Sequence, residues 1–299
     1  MTRPLLTFFY IVEPPQYEIF ACTLLASIRT HFDPSKVAAV GYCPEHRFDE
    51  LHPATLRAHE MMGAEVRPMK TESMWDSPYP HGNKIIAALQ PRNTEFSAFV
   101  DSDVMFLRAN DPLNLIRDGH VSCSAAASMP WGNYESWEKI YSVFDMPVPD
   151  ERISLMRAGG SVVPYFSAGL VVFPEDGGPE RQRFPEVWYD TARTLDREDW
   201  LPKRRPYLDQ MTLPIAIRRA GLSWNILPEE QHYILGGRLR GLPLPKDRSI
   251  FTAHYRNVRV LKETGLFKVG QRMLKRETGV RHLRKLQADP ASLTETRDK

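Results

Sequence analysis

Two aspartates, Asp101 and Asp103, follow the most strand-like stretch of the chain, and apolar residues flank them on both sides. In an extended chain, residues two positions apart point to the same side, so the two carboxylates are predicted to face one point. Two carboxylates this close in apolar surroundings repel each other and lose hydration unless a cation lies between them. Such oxygen ligands suit Mg²⁺ or Mn²⁺. The alternative is a surface turn in which both aspartates cap a loop.

Strands and helices alternate in the first half of the sequence, which predicts βαβ units and a mostly parallel sheet. The predicted strands are Leu5–Val12, Val37–Cys43, Ala64–Met69, Phe96–Leu107, Val121–Ala127, Pro164–Pro174, Leu222–Leu227 and Ile250–His254. The predicted helices are Tyr17–Phe32, Asp49–Met62, Gly82–Leu89, Tyr134–Phe144 and Tyr207–Ala220. In open α/β sheets ligands bind just outside the carboxyl ends of the strands, where the aspartate pair would lie.

The aspartate pair resembles the D-x-D motif of the GT-A-fold, nucleotide-sugar-dependent glycosyltransferases, in particular the glycogenin-like and lipopolysaccharide galactosyltransferase-like group. Further segments follow in that family's order. Tyr165–Phe173 is similar to its F-N-A-G strand, Leu208–Gln210 to the D-Q pair that opens a helix, and Phe251–Tyr255 to its late histidine segment. Gly82–Leu89 corresponds to the helix with a basic donor contact. The resemblance covers roughly residues 5–255. It implies a single α/β, GT-A catalytic domain over residues 1–255, with a mixed, mostly parallel sheet and helices on both faces.

This resemblance also implies roles for individual residues. Metal ligands would be Asp101, Asp103 and His254, with Mn²⁺ preferred over Mg²⁺ because imidazole is a softer ligand than carboxylate. Asp209 and Gln210 would act at the sugar. The nucleotide and the donor sugar would contact Phe9, Tyr10, Lys84, Asp101, Ser102, Ser167, Ala168, Gly169, Arg256 and Arg259.

Three of these residues have simpler interpretations that the sequence leaves open. Asp209 is also suited to cap a helix, Lys84 could be a solvated lysine, and His254 is one of nine histidines. The chain also departs from the family pattern. Ser167 replaces the usual asparagine, and the Gly and Lys-Pro-Trp that follow the family's histidine are absent, so Arg256 or Arg259 would take over the diphosphate contact.

Charge divides the chain at about residue 255. The whole sequence has 39 Lys+Arg against 37 Asp+Glu, yet residues 256–286 hold ten basic and two acidic residues. The remaining body is mildly acidic, which argues against nucleic acid as a partner. Residues 256–287 are predicted to form a basic amphipathic helical segment, which either contacts an anionic membrane surface or packs on the body. Residues 288–299 are predicted to be a disordered tail.

Three widely spaced cysteines favour a reducing compartment, and no apolar stretch is long enough to span a bilayer. We therefore expect a cytoplasmic enzyme, peripheral to a membrane at most. Its predicted reaction moves a sugar from a nucleoside diphosphate sugar, with uridine as the expected base, to a saccharide or glycolipid acceptor, with retention of configuration. The alternatives are a sugar-nucleotide-binding protein without turnover and a haloacid-dehalogenase-like phosphatase.

Overall fold

In the computed structural model, the strand that leads to the aspartate pair is the middle strand of a seven-stranded sheet. The structure describes residues 3–177, 182–201, 204–236, 239 and 242–287. The strands are β1 (Leu6–Ile11), β2 (Val37–Pro44), β3 (Glu65–Met69), β4 (Phe96–Val100), β5 (Val104–Phe106), β6 (His120–Ala125), β7 (Ile153–Ser154), β8 (Ser161–Val162), β9 (Phe166–Pro174), β10 (Ser223–Ile226), β11 (Tyr233–Ile234) and β12 (Thr252–His254). The helices are α1 (Gln16–His31), α2 (Pro53–Met61), α3 (Asn83–Leu89), α4 (Tyr134–Ser142), α5 (Phe184–Asp196), α6 (Leu208–Arg219), α7 (Val258–Glu263) and α8 (Leu266–Thr278).

The large sheet has the strand order β10-β6-β9-β4-β1-β2-β3. Strand β1 runs parallel to β2 and β4, β2 runs parallel to β3, and β6 runs parallel to β10. Strand β9 runs antiparallel to both of its neighbours, β4 and β6. The predicted fold class, a mixed and mostly parallel α/β sheet, is confirmed.

Strand β1 illustrates how both faces of the sheet are covered. Because side chains alternate along a strand, Phe8 and Tyr10 enter a core shared with α1, α2 and α8, whereas Phe9 enters the opposite core with α3, α5 and α6. A strand buried on both faces reads as a continuous apolar run. This double burial explains why Leu6–Ile11 contains almost no polar residue.

A second sheet of three strands, in the order β11-β12-β5, begins directly after the aspartate pair. The predicted single strand Phe96–Leu107 is therefore two strands in two sheets. The chain turns between them, and the Val104 N–H donates to the Asp101 carbonyl at 3.0 Å. Strand β12 pairs antiparallel with β5 and places His254 opposite Val104.

The basic segment after residue 255 folds back onto α1 and α2. Leu266, Met273 and Leu274 on α8 are buried in the core that α1 shares with the large sheet. Gly270 lets the two helices approach closely, since a Cβ there would lie 2.8 Å from the Thr23 Cγ2. The exposed side of α8 carries Lys268, Arg272, Lys275 and Arg276. Of the two predicted arrangements, the structure has the packed helix.

The division of the chain into units at residue 255 stays a prediction. In the structure, β12 before this point and α8 after it contribute to one continuous core. The predicted disordered tail, residues 288–299, lies outside the described residues. Among the helices that the structure describes, none combines the length and the apolar character needed to cross a membrane. Cys22, Cys43 and Cys123 are buried free thiols.

Candidate active site

The turn between β4 and β5 is fixed from three directions. The Asp101 N–H donates to the Gly169 carbonyl of β9 at 2.9 Å, and the turn closes on itself through Val104. The Ser102 hydroxyl donates to the Ile11 carbonyl at the end of β1. The prediction that the alternation of an extended strand aligns the two carboxylates is wrong, because a hydrogen-bonded turn brings them together.

His254 reaches the aspartates from the second sheet. Its position is set by β12, and the next residue, Tyr255, donates its N–H to the Asp103 carbonyl at 3.0 Å. The His254 Nε2 lies 3.1 Å from Asp103 Oδ1 and 3.8 Å from Asp101 Oδ2. The ligand atoms of the three side chains lie within 4.8 Å of one another, and no other such group occurs in the described ranges.

Gly169 is the residue of β9 that faces this cluster. A Cβ at this position would lie 2.9 Å from Asp101 Oδ2 and 3.0 Å from both the His254 Cε1 and the His232 Nε2. These distances are shorter than van der Waals contact, so any side chain would displace the carboxylate and the imidazole. The absent side chain at Gly169 makes the room in which the three ligands converge.

Lys84 joins the metal-ligand cluster to a third carboxylate. Its Nζ lies 3.1 Å from Asp101 Oδ1 and 2.8 Å from Asp209 Oδ2. Burial lowers the pKa of Lys84, but the two carboxylates outweigh burial and hold this pKa above its ordinary value, so the ammonium stays charged. The other oxygen of Asp209, Oδ1, is buried without a hydrogen-bond partner among the described residues. Asp209 therefore keeps one acceptor free for a ligand.

The pKa values of the two metal-site carboxyls shift in opposite directions. Burial raises the pKa of Asp101 above its ordinary value; Lys84 opposes this increase, and the nearby Asp103 adds to it. Burial acts on Asp103 in the same direction, but the attraction of His254 and its hydrogen bond outweigh burial and lower the pKa of Asp103. The two pKa values diverge because His254 stabilises the charge of Asp103 more than Lys84 offsets the burial of Asp101.

The residues present fit a divalent cation. Carboxylate oxygens and an imidazole nitrogen are ligands for Mn²⁺ and related ions, and the cradle at Gly169 leaves their meeting point open. Three carboxylates and the Lys84 ammonium leave this part of the site with a formal charge of −2 when His254 is neutral. A divalent cation would neutralise that charge.

A cavity of about 450 Å³ opens over these groups. It is lined by most of the residues that the sequence analysis selected, namely Lys84, Asp101, Ser102, Asp103, Ser167, Ala168, Gly169, Asp209, Gln210, His254 and Arg256. They come from five separate parts of the sequence. The cavity has the size of an ordinary small-molecule site.

Three residues assigned to the nucleotide, Phe9, Tyr10 and Arg259, do not line this cavity. Phe9 is fully buried, with the Arg92 guanidinium 4.0 Å from its ring centre, and Tyr10 is fully buried in the opposite core. Both side chains fill the core because β1 is covered on each face. Arg259 lies on α7 with its side chain 75% exposed and pairs with Glu263 at 2.6 Å. Its helical position turns it away from the cavity.

His232 is the most informative site residue that the sequence analysis missed. Its Nε2 lies 3.2 Å from the Ser167 Oγ, and its ring centre lies 5.2 Å from that of His254. Burial lowers the pKa of His232 well below its ordinary value, so the imidazole is neutral. It precedes the two-residue strand β11, which has no periodicity to reveal it, so nothing in the sequence distinguished it from the other histidines.

The sequence analysis missed further residues that line the cavity. Among them are Glu13, Tyr17, His81, Ala127, Ser128, Pro130, Tyr207 and Ile234. Two of them had a usable signal: Glu13 and Tyr17 lie between the carboxyl end of β1 and the first turn of α1, and open α/β sheets bind ligands at that edge.

A family model described as the Rhodobacterales glycosyltransferase domain matches residues 8–221, which is most of the chain. The chain belongs to this glycosyltransferase family. The predicted enzyme class is thereby confirmed, and the phosphatase alternative loses its support. A comparison with curated proteins gives no match.

The fold of this glycosyltransferase is similar to those of several solved glycosyltransferases. The galactosyltransferase LgtC, solved with donor and acceptor sugar analogues, has a TM-score of 0.58 at 10% identity, over 97% of this chain and 99% of LgtC. The bifunctional glycosyltransferase WbbM has a TM-score of 0.57 at 12% identity, over 92% of this chain and 50% of WbbM. Mouse xyloside xylosyltransferase 1 has a TM-score of 0.50 at 10% identity, over 85% of this chain and 97% of the mouse protein. At these identities the likeness concerns the fold, and it confirms the predicted GT-A architecture.

Proposed function

We propose that this glycosyltransferase moves a hexose from a nucleoside diphosphate sugar to a saccharide or lipid-linked acceptor, with a divalent metal ion. The observation that carries the proposal is the convergence of Asp101, Asp103 and His254 on one point of the cavity. The Lys84–Asp209 pair lies beside that point and presents a free carboxylate oxygen. This arrangement supplies a site for a diphosphate next to a site for a sugar.

Asp101, Asp103 and His254 would hold the metal ion. Mn²⁺ is the ion that we propose, with Mg²⁺ as the alternative, because the ligand set includes an imidazole. The bound ion would act as a Lewis acid that compensates the negative charge of the departing diphosphate. Side chains of the cavity would bind the sugar and the diphosphate.

The sugar would bind between α6 and β9. The free Oδ1 of Asp209 accepts a hydrogen bond from a sugar hydroxyl, while Lys84 fixes the other oxygen of that carboxylate. Gln210, the next residue of α6, presents its amide carbonyl to the anomeric carbon, where positive charge develops as the bond to the diphosphate breaks. Ala168 and Gly169 allow the sugar to approach the backbone closely.

Arg256 would contact the diphosphate. It lines the cavity two residues after the ligand His254, and its backbone adopts the left-handed conformation, with φ of 63°. That conformation is unusual for a residue other than glycine, and such outliers concentrate at functional sites. Arg256 thus takes over the phosphate contact of the missing Lys-Pro-Trp segment, whereas Arg259 does not.

The transfer breaks the bond between the anomeric carbon and the phosphate oxygen and forms a bond to the acceptor hydroxyl oxygen. The bonding electrons leave with the diphosphate, and the proton of the acceptor hydroxyl passes to a phosphate oxygen of that departing diphosphate. We propose retention of the anomeric configuration on the strength of the family resemblance, with uridine as the base of the donor. We also propose a cytoplasmic location, supported by the three free cysteines, and contact with a membrane surface through the exposed basic residues of α8.

Removal of one ligand tests the proposal directly. Asp103→Ala is expected to abolish Mn²⁺-dependent binding of UDP, a loss of at least about 100-fold, since one of three ligands and its charge are gone. Titration calorimetry with Mn²⁺ and UDP measures the loss, EDTA should remove the binding in wild type, and an unchanged melting temperature shows an intact fold. Wild-type affinity in the variant would refute the assignment.

Turnover distinguishes the enzyme from a binding protein. A panel of nucleoside diphosphate sugars is screened with Mn²⁺ by thermal shift, because a ligand that binds the native state raises the melting temperature. The best donor is then followed by NMR with candidate saccharide acceptors, and the anomeric configuration of the product is read from the same spectra. Binding without any release of UDP would favour the non-catalytic alternative.

A further inference from the structure

A second cavity of about 530 Å³ lies on the other side of the start of α1. Tyr17 lines the cavity of the active site, whereas Glu18, Ile19 and Phe20 line the second one. The two cavities share no lining residue. The second cavity is enclosed by α1, α7, α8, the start of α2 and the 3-10 helix Leu283–Gln287.

The walls of this second cavity are mostly hydrocarbon. They include Phe20, Leu261, Phe267, Leu274 and Leu283. Two further apolar residues, Ile19 and Val258, line it while remaining 38% and 36% exposed, which places them at its mouth. Apolar side chains that surround an open space and reach the surface are typical of a binding site for an apolar ligand.

The acidic groups that line this cavity have partners within the protein, whereas two of its basic groups have none among the residues that the structure describes. The carboxylate of Glu18 is buried and accepts hydrogen bonds from the His52 N–H and the Thr55 hydroxyl. The carboxylate of Glu50 is paired with Arg47 at 2.6 Å. Both acids are therefore already satisfied by the protein.

Two guanidinium groups at the rim are left without partners. Arg281 and Arg284 line the cavity, are exposed, and make no side-chain hydrogen bond or ion pair within the described part of the chain. Free guanidinium groups bind phosphate or carboxylate groups well. The cavity thus combines an apolar interior with a cationic rim.

We propose that the second cavity binds the hydrocarbon chain of an anionic membrane lipid, with the lipid phosphate at Arg281 and Arg284. A peptide would fit less well, because its backbone would bring N–H and C=O groups to walls that offer few free partners. A single apolar chain with one anionic end matches both the walls and the rim. The inference does not depend on the proposed sugar transfer, and it accounts for the exposure of Ile19 and Val258 at the mouth of the cavity.

Dodecyl phosphate below its micellar concentration is the probe, titrated into the full-length protein by calorimetry. We expect saturable binding of one dodecyl phosphate molecule per chain. Dodecyl maltoside should bind more weakly, and inorganic phosphate should not bind to this cavity. Ile19→Asp should weaken dodecyl phosphate binding by about tenfold or more, because it puts a charge where the hydrocarbon chain lies. Leu56→Asp is the matched control, since Leu56 is also 38% exposed but does not line the cavity.

The phosphate contact has its own pair of variants. Arg284→Glu should weaken dodecyl phosphate binding by about tenfold, whereas Lys285→Glu, the same charge change on a neighbour outside the lining, should change it by less than about threefold. Binding of UDP with Mn²⁺ should be the same in all four variants, which separates this inference from the proposed function. Absence of saturable dodecyl phosphate binding to wild type, or equal losses in the variants and their controls, would overturn it.

Discussion

At the scale of a single residue, the close contacts around Gly169 predict that a side chain there disturbs the metal ligands. Gly169→Ala places a methyl group 2.9–3.0 Å from Asp101 Oδ2 and two imidazole rings, so the ligands must move apart. We expect Mn²⁺-dependent UDP affinity to fall by about tenfold or more, with little change in thermal stability. Calorimetry measures the affinity, and Gly236→Ala is the control, because a Cβ there meets its nearest atom, Arg256 Nε, at an ordinary 3.5 Å. Equal affinities of the two variants would contradict this steric account.

The hydrogen bond between His232 and Ser167 determines where the Ser167 hydroxyl can donate its proton. The His232 Nδ1 is buried without a partner in the described ranges, and an unpaired acceptor costs less than an unpaired N–H. We therefore assign the proton to Nε2, which donates to the Ser167 Oγ, as does the Gly169 N–H at 3.3 Å. With two donors directed at its oxygen, the Ser167 hydroxyl is left to donate its own proton into the cavity. In the proposed function, His232 would be a positioning residue for the contact of Ser167 to the donor sugar.

The variant His232→Phe keeps a ring against His254 and removes the hydrogen bond. We expect the KM for the sugar donor to rise by about fivefold to thirtyfold, with kcat less affected and with Mn²⁺-dependent UDP binding unchanged. His232→Gln, which retains a donor, should recover part of the loss. Steady-state kinetics and calorimetry give the two readouts. A parallel fall of UDP binding and donor affinity would mean that His232 only supports the fold.

At the scale of secondary-structure elements, Arg92 fixes the helix that carries Lys84. Its guanidinium donates to the Ala87 and Ala88 carbonyls at the end of α3, at 3.0 and 2.9 Å, and to Glu175 after β9 at 2.8 Å. Both charged groups are buried. Arg92 therefore satisfies two carbonyls in the last turn of α3 and ties the helix to the large sheet, while Arg183 donates to the Leu89 carbonyl.

Loss of Arg92 is predicted to destabilise the protein strongly. Arg92→Met should lower the free energy of unfolding by about 3 kcal/mol, because a buried carboxylate loses a partner, although Arg183 still pairs with Glu175. Arg57→Met, which breaks an exposed pair with Glu60, should cost less than about 1 kcal/mol. Urea unfolding followed by circular dichroism compares them. Similar losses in both variants would show that the buried pair does not hold α3.

The elements themselves were largely predictable where periodicity is strong. Runs such as Leu6–Ile11 and Phe166–Pro174 are apolar because they are buried on both faces, and the sequence shows that burial directly. Helix α5 (Phe184–Asp196) was missed although its buried residues follow a helical period; Pro185 in its first turn is compatible with a helix. The strand predicted through Phe96–Leu107 was too long, because apolar residues continue across a turn that only the tertiary hydrogen bonds reveal.

The site was predictable to the extent that its residues lie in motifs. The spacing of Asp101 and Asp103 is visible in the sequence, whereas His254 becomes distinctive only through the family resemblance. The sequence did not reveal that Phe9 and Tyr10 lie outside the cavity lining, because an apolar strand does not show which of its ends or faces meets a ligand. His232 comes directly before a two-residue strand of the second sheet, and its approach to Ser167 is a consequence of tertiary structure alone.

At the scale of the whole molecule, charge is separated between an acidic body and a basic C-terminal segment. The sequence showed this separation but not its geometry, since the amphipathic pattern of α8 suits a membrane and a protein core equally well. In the structure the apolar side of α8 completes the core on α1, and its basic side remains exposed. The basic surface therefore belongs to the same folded body as the candidate active site.

The account's central claim is that Asp101, Asp103 and His254 hold a divalent cation beside a nucleoside diphosphate. Crystals grown with Mn²⁺ and UDP, with data collected at the manganese absorption edge, test it most directly. We predict one anomalous peak bonded to oxygens of both aspartates, to the His254 Nε2 and to the UDP phosphates. Bound UDP with no anomalous peak at these three side chains, or a peak held by other residues, would contradict the account.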